Sequence, residues 1–182
     1  MHAVIPTPDD ETTSTAAGSE LPRPGLTWGL KRSFIRYISS LPDGAHAETD
    51  GASLEPPSLF HFSLDRAELD RSTGRGTLRF RGDVRLSGHH RMLSVMIADP
   101  WVELRDDSAT LTVVDANHWP DRSRRMPLAS LSLPEPTATP AGPMWGPVPA
   151  RLTREGTTVF NDQYVTGEEM DPAFILLPRD HV

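Results

Sequence analysis

The 182-residue sequence contains no cysteine, which excludes disulfide bonds, thiolate metal sites and cysteine nucleophiles. It has no apolar run of the roughly 20 residues that a membrane-spanning helix requires. Acidic residues outnumber basic ones, and the resulting net charge of −7 argues against general nucleic-acid binding. Spacings typical of zinc sites, serine hydrolases and phosphate-binding loops are also missing. We therefore expect neither nucleic acid nor a membrane as a partner.

Residues 1–24 are rich in threonine, serine, proline and acidic residues. They contain neither the basic region nor the apolar region of a secretory signal. We expect a disordered acidic tail and a cytoplasmic location. The remaining residues, 25–182, are enough for one domain with a sizeable core.

Eighteen prolines and thirteen glycines favour short elements joined by turns. Residues 77–87 alternate apolar and charged side chains, which is typical of an antiparallel strand with one solvent-facing side. Two hairpins are predicted, one joining this strand to residues 92–98 and one joining 101–104 to 109–114. Residues 43–57 are predicted to form a polar loop and 134–149 an irregular proline-rich loop. The predicted fold class is mainly β, an antiparallel sandwich or open barrel, with a short helix or turn near 157–164.

One main helix is predicted over residues 28–41, with Thr27 as its N-cap and Pro42 after its end. Its apolar positions form a single stripe, namely Leu30, Phe34, Tyr37, Ile38 and Leu41. Because Tyr37 belongs to this stripe, its hydroxyl is expected to point into the protein. Lys31, Arg32 and Arg36 flank the stripe.

Three segments in order resemble the HtaA-type domain of bacterial haem-uptake proteins. They are the W-G-x-K-x-S-F-x-x-Y motif at residues 28–37, residues 82–104, and residues 152–172. The resemblance covers roughly residues 26–177. It implies a β-rich haem carrier in which Tyr37 ligates the iron and His89, in a Gly-His motif, hydrogen-bonds the tyrosine oxygen. Tyr164, in an F-x-x-x-Y-x-x-G segment, would line the haem pocket.

The candidate metal ligand is therefore Tyr37, and haem is the expected cofactor. The full set of candidate cofactor-binding residues is Tyr37, His89, Tyr164, Phe34, Arg36, His90, Arg91 and Met92. Arg91 stands where the family usually has glycine, so its side chain would contact a propionate or obstruct the ring. The cations on the helix would likewise pair with propionates or simply form a solvated face.

Two other functions are compatible with these residues. One is a cytoplasmic enzyme of small-molecule metabolism, such as an isomerase or cyclase, that uses Tyr37 and His89 as an acid–base pair. The other is a structural or partner-binding domain that uses the proline-rich segment 134–149. The expected partner is haem or another hydrophobic small molecule, and the oligomeric state is left open.

Overall fold

The structure is a computed structural model of the chain, and it describes residues 22–70, 72–106 and 108–181. Of the predicted acidic tail, residues 1–21 lie outside the described ranges. In chain order the strands are β1 (Gly25–Trp28), β2 (Ala45–Thr49), β3 (Ala52–Glu55), β4 (Leu59–Leu69), β5 (Gly76–Arg81), β6 (Asp83–Gly88), β7 (Leu93–Ala98), β8 (Trp101–Arg105), β9 (Ser108–Val114), β10 (Arg125–Leu131), β11 (Thr137–Thr139), β12 (Gly142–Leu152) and β13 (Glu169–Leu176). The helical segments are α1 (Arg32–Ser40) and the 3-10 helices Ala116–His118, Glu155–Phe160 and Arg179–His181.

Eight antiparallel strands close into a barrel in the order β1, β13, β12, β10, β9, β8, β5 and β4. Closure depends on β1, which pairs with β13 along one edge and with β4 along the other. Fully buried side chains such as Leu26, Phe62 and Leu111 belong to the core. The mainly β prediction is confirmed. The sandwich and open-barrel alternatives are not, because the short N-terminal strand β1 fills the gap that would otherwise leave two free edges.

A separate three-stranded sheet, in the order β2, β6 and β7, carries the predicted first hairpin. The single strand predicted over residues 77–87 is divided at Gly82 between the barrel and this sheet. Gly82 has a φ of +149°, and a Cβ there would lie 2.7 Å from the Cβ of Ala52. Its N–H donates to the Asp99 carboxylate at 3.0 Å, which holds the bend. The alternating pattern continues through the bend, so periodicity alone did not reveal it.

Helix α1 is shorter at its beginning than predicted. Thr27 is not an N-cap but part of β1, where it pairs with His61 of β4. Leu30 has a φ of +55°, which interrupts the chain between the strand and the helix. The helix begins at Arg32, four residues later than predicted. It ends before Pro42, as predicted.

Several other segments also differ from the sequence-based expectations. The predicted loop 43–57 contains β2 and β3, which have no regular alternation of buried and exposed residues. The predicted irregular segment 134–149 contains β11 and much of β12. Pro147 and Pro149 lie at the two places where β12 changes register around Val148, and such irregular positions tolerate proline. The second predicted hairpin is present as β8 and β9, and the short helix predicted near 157–164 is the 3-10 helix Glu155–Phe160.

Within the described ranges, no helix is both long enough and apolar enough to cross a bilayer.

Candidate functional site

An open groove of about 580 Å³ lies where α1, the turn between β6 and β7, and the segment after the Glu155–Phe160 helix meet. Its lining residues are Phe34, Tyr37, His89, Met92, Leu93, Asn161, Gln163 and Tyr164. The volume falls in the range of roughly 300–1,000 Å³ that is typical of small-molecule sites. The groove brings together three parts of the chain that the sequence separates widely.

Tyr37 lies at the edge of the helix face that packs on the protein, and it is 46% exposed. The expectation of a buried hydroxyl is therefore wrong. The buried face of α1 is centred on Phe34, Ile35 and Ile38, which are 3%, 8% and 2% exposed. At about 100° per residue, Tyr37 falls to one side of that face. Its ring consequently lines the groove, where a ligand can reach the oxygen.

The Tyr37 hydroxyl is hydrogen-bonded to the imidazole of His89. The distance from Tyr37 Oη to His89 Nε2 is 2.6 Å. A neutral phenol can donate to Nε2 or accept from Nε2–H, whereas a phenolate can only accept. When Nε2 carries the proton, His89 donates this hydrogen bond to the tyrosine oxygen. The hydrogen bond that the family resemblance implied between these residues is present.

His89 is placed by a turn with an unusual backbone. His89, His90 and Arg91 are consecutive residues with φ values of +52°, +56° and +68°. Left-handed geometry costs a non-glycine residue roughly 1–2 kcal/mol, and such strain concentrates at functional sites. The backbone at Arg91 is therefore of the kind that favours glycine, which matches the residue that the resemblance leads one to expect there.

The carboxylate of Asp43 spans this turn. Its Oδ1 accepts the N–H of His89 at 3.2 Å, and its Oδ2 accepts the N–H of His90. The hydrogen bond from the His90 backbone is the main cause that holds the pKa of Asp43 below its usual range. Sequence reasoning missed Asp43 because no motif connects it with a turn 46 residues later.

Three aromatic rings support the inner side of the groove. Phe34 packs edge-on against Phe160 and Tyr164, with centroid distances of 5.4 and 6.4 Å. Phe160 and Tyr164 are 5.7 Å apart. The ammonium group of Lys31 lies 5.2 Å from the centre of the Tyr164 ring and pairs with Glu168 at 2.8 Å. These contacts fix the Tyr164 ring in the groove wall.

The other arginine and histidine candidates lie outside the groove lining. Arg32 pairs with Asp171 at 3.4 Å, so it is engaged within the chain. Arg36, His90 and Arg91 are exposed and are not among the lining residues. Within the described part of the chain, Arg36 and Arg91 form no salt bridge. Arg91 is therefore not part of the groove wall.

Three lining residues were not predicted, namely Leu93, Asn161 and Gln163. The Asn161 amide donates to the backbone oxygen of Met92 at 3.3 Å and so joins two sides of the groove. Met92 itself is 83% exposed, an unusual position for a large apolar residue. The F-x-x-x-Y-x-x-G segment that marks Tyr164 also contains Asn161 and Gln163, so this motif was the available signal.

A second depression, of about 600 Å³, is lined by charged residues that form ion pairs with one another. Arg122 in its wall bonds to Asp50 and Asp99, each at 2.7 Å. Arg81 bonds to Asp65 at 3.0 Å. Within the residues that the structure describes, no group of three or more histidines and carboxylates could hold a metal ion. The groove at Tyr37 is thus the stronger candidate for ligand binding.

The described residues thus form a closed β-barrel with an open groove beside the Tyr37–His89 pair. The family model described as Htaa matches residues 24–175, and the chain therefore belongs to the HtaA family. No curated protein matches the chain in sequence.

Three solved structures from Corynebacterium glutamicum share the fold. The C-terminal domain of HtaA has 22% identity and a TM-score of 0.69, with 82% of this chain and 92% of that chain covered. The N-terminal domain of HtaA has 23% identity and a TM-score of 0.61, with 86% and 97% covered. The heme binding protein HtaB has 17% identity and a TM-score of 0.60, with 84% and 91% covered.

Proposed function

We propose that this protein binds haem in the groove, with Tyr37 as the axial ligand of the iron, and passes it to other molecules. The observation that carries the proposal is the 2.6 Å hydrogen bond between the accessible Tyr37 oxygen and His89 Nε2. Membership of the HtaA family and similarity in fold to a protein described as heme-binding support it.

The donor atoms in the groove suit ferric haem. A phenolate is a recognised axial ligand of haem iron. An unperturbed phenol ionises near pH 10, so ionisation at neutral pH costs about 4 kcal/mol. A hydrogen bond to a charged group contributes about 1.5–3 kcal/mol. The His89 donor can therefore offset part of that cost, and coordination by a ferric centre would supply the rest.

The walls of the groove suit a flat apolar ring. Phe34, Leu93 and Tyr164 present apolar and aromatic surface, and Met92 is the most exposed large apolar side chain at the rim. Because the groove is open along one side, a ligand can enter and leave without any opening of the barrel. This arrangement favours carriage and transfer over chemical conversion.

A haemin titration of three proteins tests the proposal. The wild-type protein should bind haemin stoichiometrically and show the visible spectrum of a tyrosinate–ferric centre. Tyr37→Phe should lose that spectrum and bind much more weakly, at a folding cost of about 1 kcal/mol for the lost hydrogen bond. Tyr164→Phe is the matched control, because the chain has only two tyrosines and the Tyr164 hydroxyl forms no hydrogen bond among the described residues. It should keep the tyrosinate spectrum.

Two results would reject the proposal. One is the absence of saturable haemin binding by folded wild-type protein. The other is an identical loss in both tyrosine variants, which would show that the Tyr37 oxygen has no special role.

The catalytic alternative depends on the same pair of residues. A distance of 2.6 Å also meets the geometric requirement of an acid–base pair, so Tyr37 and His89 would be its catalytic groups. The haemin titration separates the two functions. If haemin does not bind, an organic substrate for this groove becomes the better hypothesis.

A further inference from the structure

We propose that Asp43 is a positioning residue for the Tyr37–His89 pair. Its carboxylate holds the left-handed turn in the one conformation that brings His89 Nε2 to the Tyr37 oxygen. This inference extends the proposed haem site, on which its consequences for haem binding depend.

Asp43 is tied to the same element that carries Tyr37. It follows the C-cap of α1, Leu41, by two residues. The next residue, Gly44, donates its N–H to Leu41 O at 3.1 Å. A Cβ at Gly44 would lie 1.8 Å from Ile38 O, so the chain here is pressed against the last turn of the helix. The position of the carboxylate is therefore set by α1.

The turn presents two N–H groups to that carboxylate. Successive amides in turn conformations form a concave site that favours an anion. His89 N–H and His90 N–H each donate to a different oxygen of Asp43. Tyr37 and His89 are thus joined through one carboxylate, which follows α1 in the chain and accepts both hydrogen bonds from the turn.

Two acceptor oxygens are needed for this arrangement. An asparagine side chain has nearly the same shape but only one acceptor, and its NH₂ group would face the second backbone N–H. Alanine has no acceptor. The geometry consequently predicts that the contact between His89 and Tyr37 is weakened slightly in Asp43→Asn and more strongly in Asp43→Ala. Asp70→Asn is the matched control, because Asp70 is also an exposed carboxylate that accepts a backbone N–H, but its side chain bonds to Ser72 and not to the turn that carries His89.

The first measurement uses the protein without haem. Nuclear Overhauser contacts between the imidazole of His89 and the ring of Tyr37 report directly on the pair. Because the chain has two tyrosines, the signals that remain in the Tyr164→Phe spectrum belong to Tyr37. The contacts should be strong in wild type and Asp70→Asn, weaker in Asp43→Asn, and weakest in Asp43→Ala. Undiminished contacts in Asp43→Ala would overturn the inference.

The second measurement is a double-substitution cycle in haemin affinity. Loss of a group that orients a metal ligand typically weakens binding by about 10- to 100-fold, and we expect roughly tenfold for Asp43→Ala. On a His89→Ala background the same substitution should change affinity by less than about twofold, because Asp43 acts through His89. An equal loss on both backgrounds would also overturn the inference. If wild type binds no haemin, the proposed function fails, while the contacts in the haem-free protein still decide the role of Asp43.

Discussion

Replacement of the aromatic rings beneath the groove gives the most quantitative test of how α1 is attached to the barrel. Phe34 on α1 is 3% exposed, and Phe160 at the end of its 3-10 helix is fully buried. Their rings meet edge to face at 5.4 Å, and each ring also contacts Tyr164. Substitution of either phenylalanine by leucine therefore breaks two ring pairs and leaves a smaller side chain in a packed site.

The expected magnitude follows from these contacts. Each aromatic pair contributes about 0.5–1.5 kcal/mol beyond its buried area. With the cavity included, each single substitution should lower the free energy of unfolding by about 2–3 kcal/mol, less than the 3–5 kcal/mol of a Phe→Ala change. The Phe34–Phe160 pair is lost in both single variants. The double variant should therefore lose about 1 kcal/mol less than the sum of the singles.

Urea unfolding followed by tryptophan fluorescence measures these differences, since Trp28 is fully buried in the core. Ile35→Val is the control on the same face of α1, and its effect should add to that of Phe160→Leu. Additivity of the two phenylalanine substitutions within about 0.3 kcal/mol would refute the reasoning. So would single effects below about 0.5 kcal/mol, because the rings would then contribute little to packing.

Two further predictions concern stability. Burial lowers the pKa of His61 from its ordinary 6.5, so at mildly acidic pH the unfolded chain takes up a proton that the folded chain does not. The free energy of unfolding should therefore decrease as the pH is lowered from about 6.5, by at most about 1.4 kcal/mol per pH unit. Urea midpoints at several pH values will show this, and a dependence unchanged in His61→Gln would contradict it. Gly44→Ala should lower the free energy of unfolding by about 1–3 kcal/mol, because its Cβ would lie 1.8 Å from Ile38 O. A neutral effect on the urea midpoint would show that the chain after α1 can move aside.

Neither the cytoplasmic location nor haem as the ligand follows from the geometry of the barrel. A fold can host many ligands, and function depends on the site. The cytoplasmic location therefore stays a prediction, which cell fractionation tests. The haemin titration tests the identity of the ligand.

Local pattern was sufficient for much of the secondary structure. Residues 101–104 and 109–114, on either side of the polar residues 105–108, predicted the hairpin of β8 and β9, since the signals of strand and turn lie within a few residues of each other. The helical periodicity around Phe34 and Ile38 predicted α1 for the same reason. The three motifs also identified Tyr37, His89 and Tyr164 as candidates, and all three line one groove.

Tertiary structure alone decided the features that give the candidate site its properties. Gly82 divides one alternating segment between two sheets, and β1 closes the barrel through partners far along the chain. Tyr37 is accessible because the buried face of α1 is rotated towards Ile35. Asp43 meets a turn 46 residues away in sequence. Such contacts depend on how elements pack in space, and periodicity along the chain contains no information about which distant residues will meet.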